Sequence, residues 1–172
     1  MSNLFDAAGM DQGPLRPLAE RLRPDGLDQV IGQDHLLAGD GAIRRMVDSG
    51  RLASLVLWGP PGSGKTTIAR LLAAHVGLHF VQLSAVFSGV ADLRKAFAAA
   101  GERRISGQGT LLFVDEIHRF NRSQQDGFLP YVEDGTIILV GATTENPSFE
   151  LNAALLSRCQ VLVLNRLDDD TL

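Results

Sequence analysis

The sequence predicts an α/β fold in three αβα layers, with a five-stranded parallel sheet between two layers of helices, and three observations predict it. Apolar runs at 55–58, 80–83, 111–114, 137–140 and 161–164 each have the length of a buried strand. They are near-continuous rather than alternating, as strands covered on both faces require. Stretches of helical character at 66–76, 90–100, 123–133 and 151–157 separate them, and alternation of this kind implies parallel pairing through right-handed crossovers. Between the first strand and the first helix, Gly59-Pro60-Pro61-Gly62-Ser63-Gly64-Lys65-Thr66 fits the pattern G-x-x-x-x-G-K-[ST] in its strand–loop–helix context.

Composition narrows the classes. A chain of 172 residues holds one domain and at most the start of a second, and 45% hydrophobic residues suffice for a real core. A net charge of −4 argues against a surface that binds nucleic acid over its whole extent, although it permits a local arginine patch. The only lysines are Lys65 and Lys95. Cys159 stands alone, so neither an internal disulfide nor a zinc spacing exists, and a reducing cytoplasm suits it. No apolar run reaches the length of a membrane span, and the N-terminus lacks the pattern of a secretory signal. The match of Asn121-Arg122-Ser123 to a glycosylation acceptor is therefore read as chance.

In chain order, residues 1–14 are polar and glycine-containing and are expected to be mobile; 15–166 form the core; 167–172 are a short acidic end. The first strand leads into the glycine-rich loop. Glycines there let the backbone wrap a phosphate closely, and the amides of residues 62–65 point at it from the positive end of a helix dipole. Lys65 is placed to neutralise β- and γ-phosphates, and the Thr66 hydroxyl to hold Mg²⁺. In such sheets ligands sit beyond the carboxyl ends of the strands, so the other strand ends should supply the loop's partners.

The third strand ends in two acids, Asp115 and Glu116. Asp115 at the tip suits Mg²⁺, and Glu116 suits the polarising of an attacking water. Alone, the pair is equally an ordinary solvated turn; the phosphate loop ahead of it favours the nucleotide reading. His118, on the same turn, is read as structural or interfacial. The fourth strand runs into Gly141-Ala142-Thr143-Thr144, where a hydroxyl, Thr144 in preference to Thr143, touches the γ-phosphate or orients the water, or else both threonines cap a turn. Arg158, before the fifth strand, is either an arginine finger directed at a neighbouring subunit or a surface arginine closing a helix.

Together these residues resemble the AAA+ ATPases of the clamp-loader branch, with their P-loop nucleoside triphosphatase core, over nearly the whole chain. Within that branch the sequence resembles the replication-associated recombination protein A family and its eukaryotic relatives, the Werner-helicase-interacting ATPases. Three segments carry the narrower resemblance: 17–24 with 30–37; Asp115-Glu116-Ile117-His118-Arg119-Phe120-Asn121-Arg122-Ser123-Gln124-Gln125-Asp126; and Thr143-Thr144-Glu145-Asn146-Pro147-Ser148-Phe149-Glu150-Leu151-Asn152. The Holliday-junction motor RuvB shares the Asp-Glu-Ile-His and Gly-Ala-Thr-Thr pieces, without the continuation Glu-Asn-Pro-Ser-Phe.

The resemblance implies ATP and Mg²⁺ as ligands. It makes Val30, Ile31 and Gly32 the adenine site and Gly59, Pro60, Pro61, Gly62, Ser63, Gly64, Lys65 and Thr66 the Walker A loop, with Thr67 beside it. It makes Asp115 and Glu116 Walker B, Thr144 sensor 1, and Arg158 the finger acting in trans. It places Phe120 and Asn121 in a segment that such families turn towards DNA, without assigning them a contact. Family members continue into a helical lid and a C-terminal oligomerisation region, both expected to be absent here; the run 168–170 is either the first turn of that lid or a solvated tail.

The function this implies is DNA-stimulated ATP hydrolysis coupled to DNA remodelling at stalled forks, gaps or duplex ends. The partners are DNA, further copies of the chain, a single-stranded DNA-binding protein and replisome components, in a nucleoid-associated cytoplasmic setting without a membrane. The alternatives are a nucleotide-gated scaffold that recruits repair partners, and a clamp-loader-like or RuvB-like motor. DNA contacts, given the net charge, should be few and local; Arg119 and Arg122 are candidates and equally suit a solvated helix start.

Overall fold

A computed structural model describes Gly26, Val30 and residues 32–166. Two short helices come first, α1 (Asp34–Leu37) and α2 (Ala42–Ser49), followed by β1 (Leu55–Trp58), α3 (Lys65–Val76), β2 (His79–Ser84) and α4 (Val90–Ile105). Then come β3 (Thr110–Asp115), a 3-10 turn (Ile117–Arg119), α5 (Arg122–Asp126), α6 (Leu129–Glu133), β4 (Ile138–Thr143), α7 (Pro147–Glu150), α8 (Ala153–Leu156) and β5 (Gln160–Val163). Among the described residues the strands form one five-stranded sheet in the order β2-β3-β4-β1-β5, and every pairing is parallel. The expectations for 1–14 and 167–172, and for Ile31, lie outside the described residues.

The apolar runs divide between the two faces of the sheet. Leu55, Leu57, Leu111, Phe113, Val140 and Ala142 face Ile43 and Val47 of α2 and Ile68 and Leu72 of α3. Val56, Leu112, Val114 and Leu139 face Leu93 and Phe97 of α4, Phe128 and Leu155. Successive residues of β1, β3 and β4 thus serve opposite cores, which is why these strands read as unbroken apolar runs and why the expected three layers form. Each large side chain among them contributes roughly 1.5–3 kcal/mol on burial, so the three central strands anchor both cores. The edge is different: Val161 and Val163 of β5 are 40% and 51% exposed, because an edge strand is covered here on one face only.

The helices differ from the expected spans for local reasons. The stretch expected as one helix over 123–133 is two, α5 and α6, with Pro130 in the first turn of the second; proline has no N–H to bond back to Asp126. The helix expected over 151–157 begins later, at Ala153 behind the N-cap Asn152. A separate α7 precedes it, started by Pro147 with the Asn146 side chain accepting from the Ser148 N–H. α1 and α2 were not expected, although Ile43, Met46 and Val47 have helical spacing ahead of the left-handed Gly50. No helix among the described residues is long and apolar enough to cross a membrane.

Candidate active site

Parallel pairing brings the carboxyl ends of the strands to one edge. Trp58 stands level with Thr143 and Val163, and Ser84 with Asp115. The loop leaving β1 is tied to β4 by the Gly59 N–H, which donates to the Thr143 carbonyl at 3.1 Å. Gly62 and Gly64 have φ of 77° and 97°, the left-handed region that glycine enters without strain. α3 therefore starts abruptly at Lys65 with no side chain capping it, so its first-turn amides are left for a ligand at the positive end of the dipole.

Lys65 is only 9% exposed and turns back over its own loop. Its Nζ donates to the carbonyls of Gly59 at 2.6 Å and Pro60 at 2.8 Å, and to Ser63 Oγ at 3.4 Å. Burial holds its pKa below the usual lysine value, while the carboxylates of Asp115 and Glu116 pull the other way. The two acids at the tip of β3 thus lie within electrostatic reach of the phosphate loop. The Glu116 N–H donates to Asp115 Oδ1 at 3.0 Å, which orients the first acid.

Glu116 has φ 52° and is the one non-glycine residue in the left-handed region among the described residues. Such a conformation costs of order 1–3 kcal/mol and persists only where neighbours hold it. Ile117, fully buried, does so by lying against β4 at Gly141, where a Cβ would stand 2.9 Å from Ile117 Cδ1. The glycine in that strand is what allows the turn carrying Glu116 to sit so low. The Glu116 carboxylate bonds to no other group among the described residues.

The two threonines separate cleanly. Thr143 is buried, and its Oγ1 is hydrogen-bonded to His118 Nδ1 at 2.8 Å and accepts from the Glu145 N–H at 3.0 Å. This bond pins the turn after Glu116 to the end of β4, which suits the structural one of the two roles read for His118, structural or interfacial. Thr144 is half-buried, one residue beyond the strand, with a hydroxyl that bonds to nothing among the described residues. Arg158 is not brought to the loop or to the acids. Its Nε donates to Glu133 Oε1, and its Nη1 to the carbonyl of Ala154 at 2.7 Å and to Ser157 Oγ at 3.1 Å.

Of the residues expected to form an adenine site, Val30 is buried in the first core, and Gly32 has φ 84°. Phe120 is 3% exposed and packs on Phe128 with ring centroids 5.9 Å apart, so it faces the core and not a ligand; Asn121 caps α5. Two residues went unread in the sequence. Gln33 is fully buried and bonds to the carbonyl of Ser63 within the loop. Gln125, 2% exposed, bonds to the carbonyls of Phe120 and Glu150. A glutamine has no periodic signature; adjacency to Gly32 was the only cue to the first.

Loop amides, an inward lysine and two strand-tip acids form a donor and acceptor set that fits a polyphosphate and a hard divalent cation. Comparison with known proteins points to an ATPase. The family described as ATPase family associated with various cellular activities (AAA) matches residues 55–167. Replication-associated recombination protein A of Escherichia coli (strain K12) is 52% identical over 170 residues, which is 99% of this chain and 38% of that protein. ATPase WRNIP1 of Dictyostelium discoideum is 49% identical over 156 residues, 91% of this chain and 18% of that protein. The chain therefore spans well under half the length of these curated relatives. Among solved structures, the Thermotoga maritima RuvB Holliday junction branch migration motor superposes with a TM-score of 0.69 at 31% identity, over 87% of this chain and 51% of that one.

Proposed function

From the premise that the chain belongs to the ATPase family associated with various cellular activities, we propose that residues 15–166 are a Mg²⁺-dependent ATPase core whose turnover is stimulated by DNA. The work it serves is DNA remodelling at stalled forks, gaps or duplex ends. The observation that carries the reading is the pairing of an amide-lined loop and its inward Lys65 with Asp115 and Glu116 at the next strand tip but one.

In this reading the amides of Gly62 to Thr66 bind phosphate oxygens, and Lys65 leaves the carbonyls of Gly59 and Pro60 to join them. Val30, Ile31 and Gly32 flank the purine, and Thr67 completes the first turn of the loop helix. Thr66 and Asp115 would hold Mg²⁺, which would supply positive charge to offset that of the phosphates. Glu116, with its carboxylate free, orients the attacking water and takes its proton. Thr144 positions that water or the γ-phosphate. Arg158 exchanges Glu133 for the nucleotide of a neighbouring copy and stabilises the charge that develops there. Homo-oligomers, DNA, a single-stranded DNA-binding protein and replisome components are the proposed partners, in a nucleoid-associated cytoplasmic setting; the replication and recombination in the name of the Escherichia coli relative support DNA among them.

The test is ATP hydrolysis across protein concentration, with and without forked DNA, for the parent chain and Glu116→Gln. A rate per molecule that rises with concentration and with DNA, and falls by about a hundredfold or more in Glu116→Gln while ATP still binds, is expected. Unchanged hydrolysis by Glu116→Gln would sink the assignment of the base.

A further inference from the structure

Gln33 joins pieces of chain that lie far apart in sequence. Its Nε2 donates to the Ser63 carbonyl at 3.0 Å and to the Asn165 carbonyl at 2.8 Å, and its Oε1 accepts from the Asn165 N–H at 2.9 Å. The orientation of the carboxamide is unambiguous, because turning it over would set its NH₂ against the Asn165 N–H and its oxygen against two carbonyls. With the Gln33 side chain fully buried, its bond to the Ser63 carbonyl is made where water cannot replace it, while the two bonds to Asn165 are partly buried.

The bond to Ser63 fixes a direction. In a trans peptide the carbonyl and the following N–H point opposite ways, and no cis peptide bond occurs among the described residues. Holding the Ser63 carbonyl towards the core therefore turns the Gly64 N–H outward, to the side where the loop amides would meet a phosphate. The Gly64 N–H donates to nothing among the described residues. Ser63, on one side of this peptide, is held by two bonds to the Pro60 carbonyl, and the left-handed Gly64 on the other side lets it turn more readily than a larger residue would.

The other end of Gln33 grips the chain just as it leaves the sheet. Leu164 donates its N–H to the Trp58 carbonyl at 2.7 Å, and Asn165 follows. We infer that Gln33 is a positioning residue for the nucleotide site, which pre-orients the Gly64 amide for phosphate and passes any turning of that peptide to the chain leaving β5 at Asn165. The inference rests on the nucleotide reading above and adds to it a residue and a route. The route is short: one carboxamide, with the loop on one side and the strand exit on the other.

His35 makes the idea separable from plain packing. Its ring independently ties α1 to the same exit, through Nε2 to the Val163 carbonyl at 2.7 Å and Nδ1 to Asn165 Nδ2 at 3.3 Å. Gln33→Leu keeps that tie and the bulk of the side chain while removing the relay.

The experiment is amide exchange, followed by NMR on the chain, with and without a non-hydrolysable ATP analogue and Mg²⁺. In the parent, the analogue should change exchange at both Gly64 and Asn165 by about threefold or more. In Gln33→Leu, affinity for the analogue should fall by about three- to thirtyfold and the response at Asn165 should vanish. Asn165→Ala, which keeps the main-chain bonds to Gln33, should behave as the parent does. Retention of both affinity and the Asn165 response in Gln33→Leu would overturn the inference. So would a silent Asn165 amide in the parent, a result that needs no variant to fold. Failure of the parent to bind the analogue at all would overturn the proposed function and this inference together, whereas binding with a silent Asn165 overturns this inference alone.

Discussion

Gln33 and Gln125 are both buried glutamines whose carboxamides bond to main-chain atoms alone, yet they support different halves of the site. Gln33 holds a peptide of the phosphate loop itself. Gln125 works one step back, on the opposite face of the sheet. Its Nε2 donates to the carbonyls of Phe120 at 2.9 Å and Glu150 at 3.1 Å, and its Oε1 accepts from the Asn152 N–H at 2.8 Å. Asn152 adds bonds to the Arg122 carbonyl and to Asp126 Oδ1. This second clasp joins the segment that follows the acids to the segment that follows β4. The difference is between orienting groups that meet a ligand and stapling the scaffold that holds the acids.

Changes on the loop half should therefore appear in ligand binding. The largest effect expected is for Lys65→Ala: affinity for ATP falls by about a hundredfold or more, since the proposed function sets this lysine against the phosphates. Titration calorimetry reads this directly. Affinity within about fivefold of the parent would mean that the phosphates lie elsewhere.

Changes on the scaffold half should appear in stability. Gln125→Leu strips the partner from the buried Phe120 carbonyl and from the partly buried Glu150 carbonyl and Asn152 N–H, at a cost of about 1–3 kcal/mol, while the folded protein keeps its affinity for ATP. A denaturant midpoint that does not move, or a loss of ATP affinity without a loss of stability, would erase the contrast with Gln33. Gly141→Ala sits between the halves. The added methyl would stand 2.9 Å from Ile117 Cδ1, so the turn bearing Glu116 must shift. About 1–3 kcal/mol of stability should go, with kcat falling more than affinity for ATP. Equal losses in kcat and in affinity would instead tie that turn to binding.

Much of this was legible beforehand, for physical reasons that also mark where legibility stopped. Strands 55–58 and 111–114 were readable because two faces of burial leave an unbroken apolar run. The loop was readable because glycine, lysine and threonine at fixed spacing have few other uses. The preference for Thr144 over Thr143 could be read from position, but what occupies Thr143 is the bond to His118, a contact across 25 residues that no local pattern announces. Gln33 and Gln125 were silent for the same reason: their partners are main-chain atoms, which every residue has. The left-handed Glu116 was hidden because only its neighbours, Ile117 over Gly141, make that conformation tolerable. Phe120, to which the sequence assigned no contact, is settled only by its packing on Phe128.

Cys159 offers the mildest probe of the scaffold half, because it packs against the same core as Phe128 and Leu155. Burial pushes its thiol up to about 11. The sign follows from proton counts. Between the ordinary thiol value of about 9 and about 11 the unfolded chain has released this proton and the folded chain has kept it, so the folded form loses ground as pH rises through that window and is unaffected below it. The difference in unfolding free energy between the parent and Cys159→Ala should therefore be constant up to about pH 8 and shift against the parent towards pH 11, with a slope of no more than one proton. Alkylation by iodoacetamide should likewise keep accelerating about tenfold per pH unit past pH 9, because thiolate is the reacting form. Levelling near pH 9 would mean that the thiol is already open to solvent. The scaffold face would then be looser than the Gln125 clasp implies, and the stability contrast between the two glutamines would shrink with it.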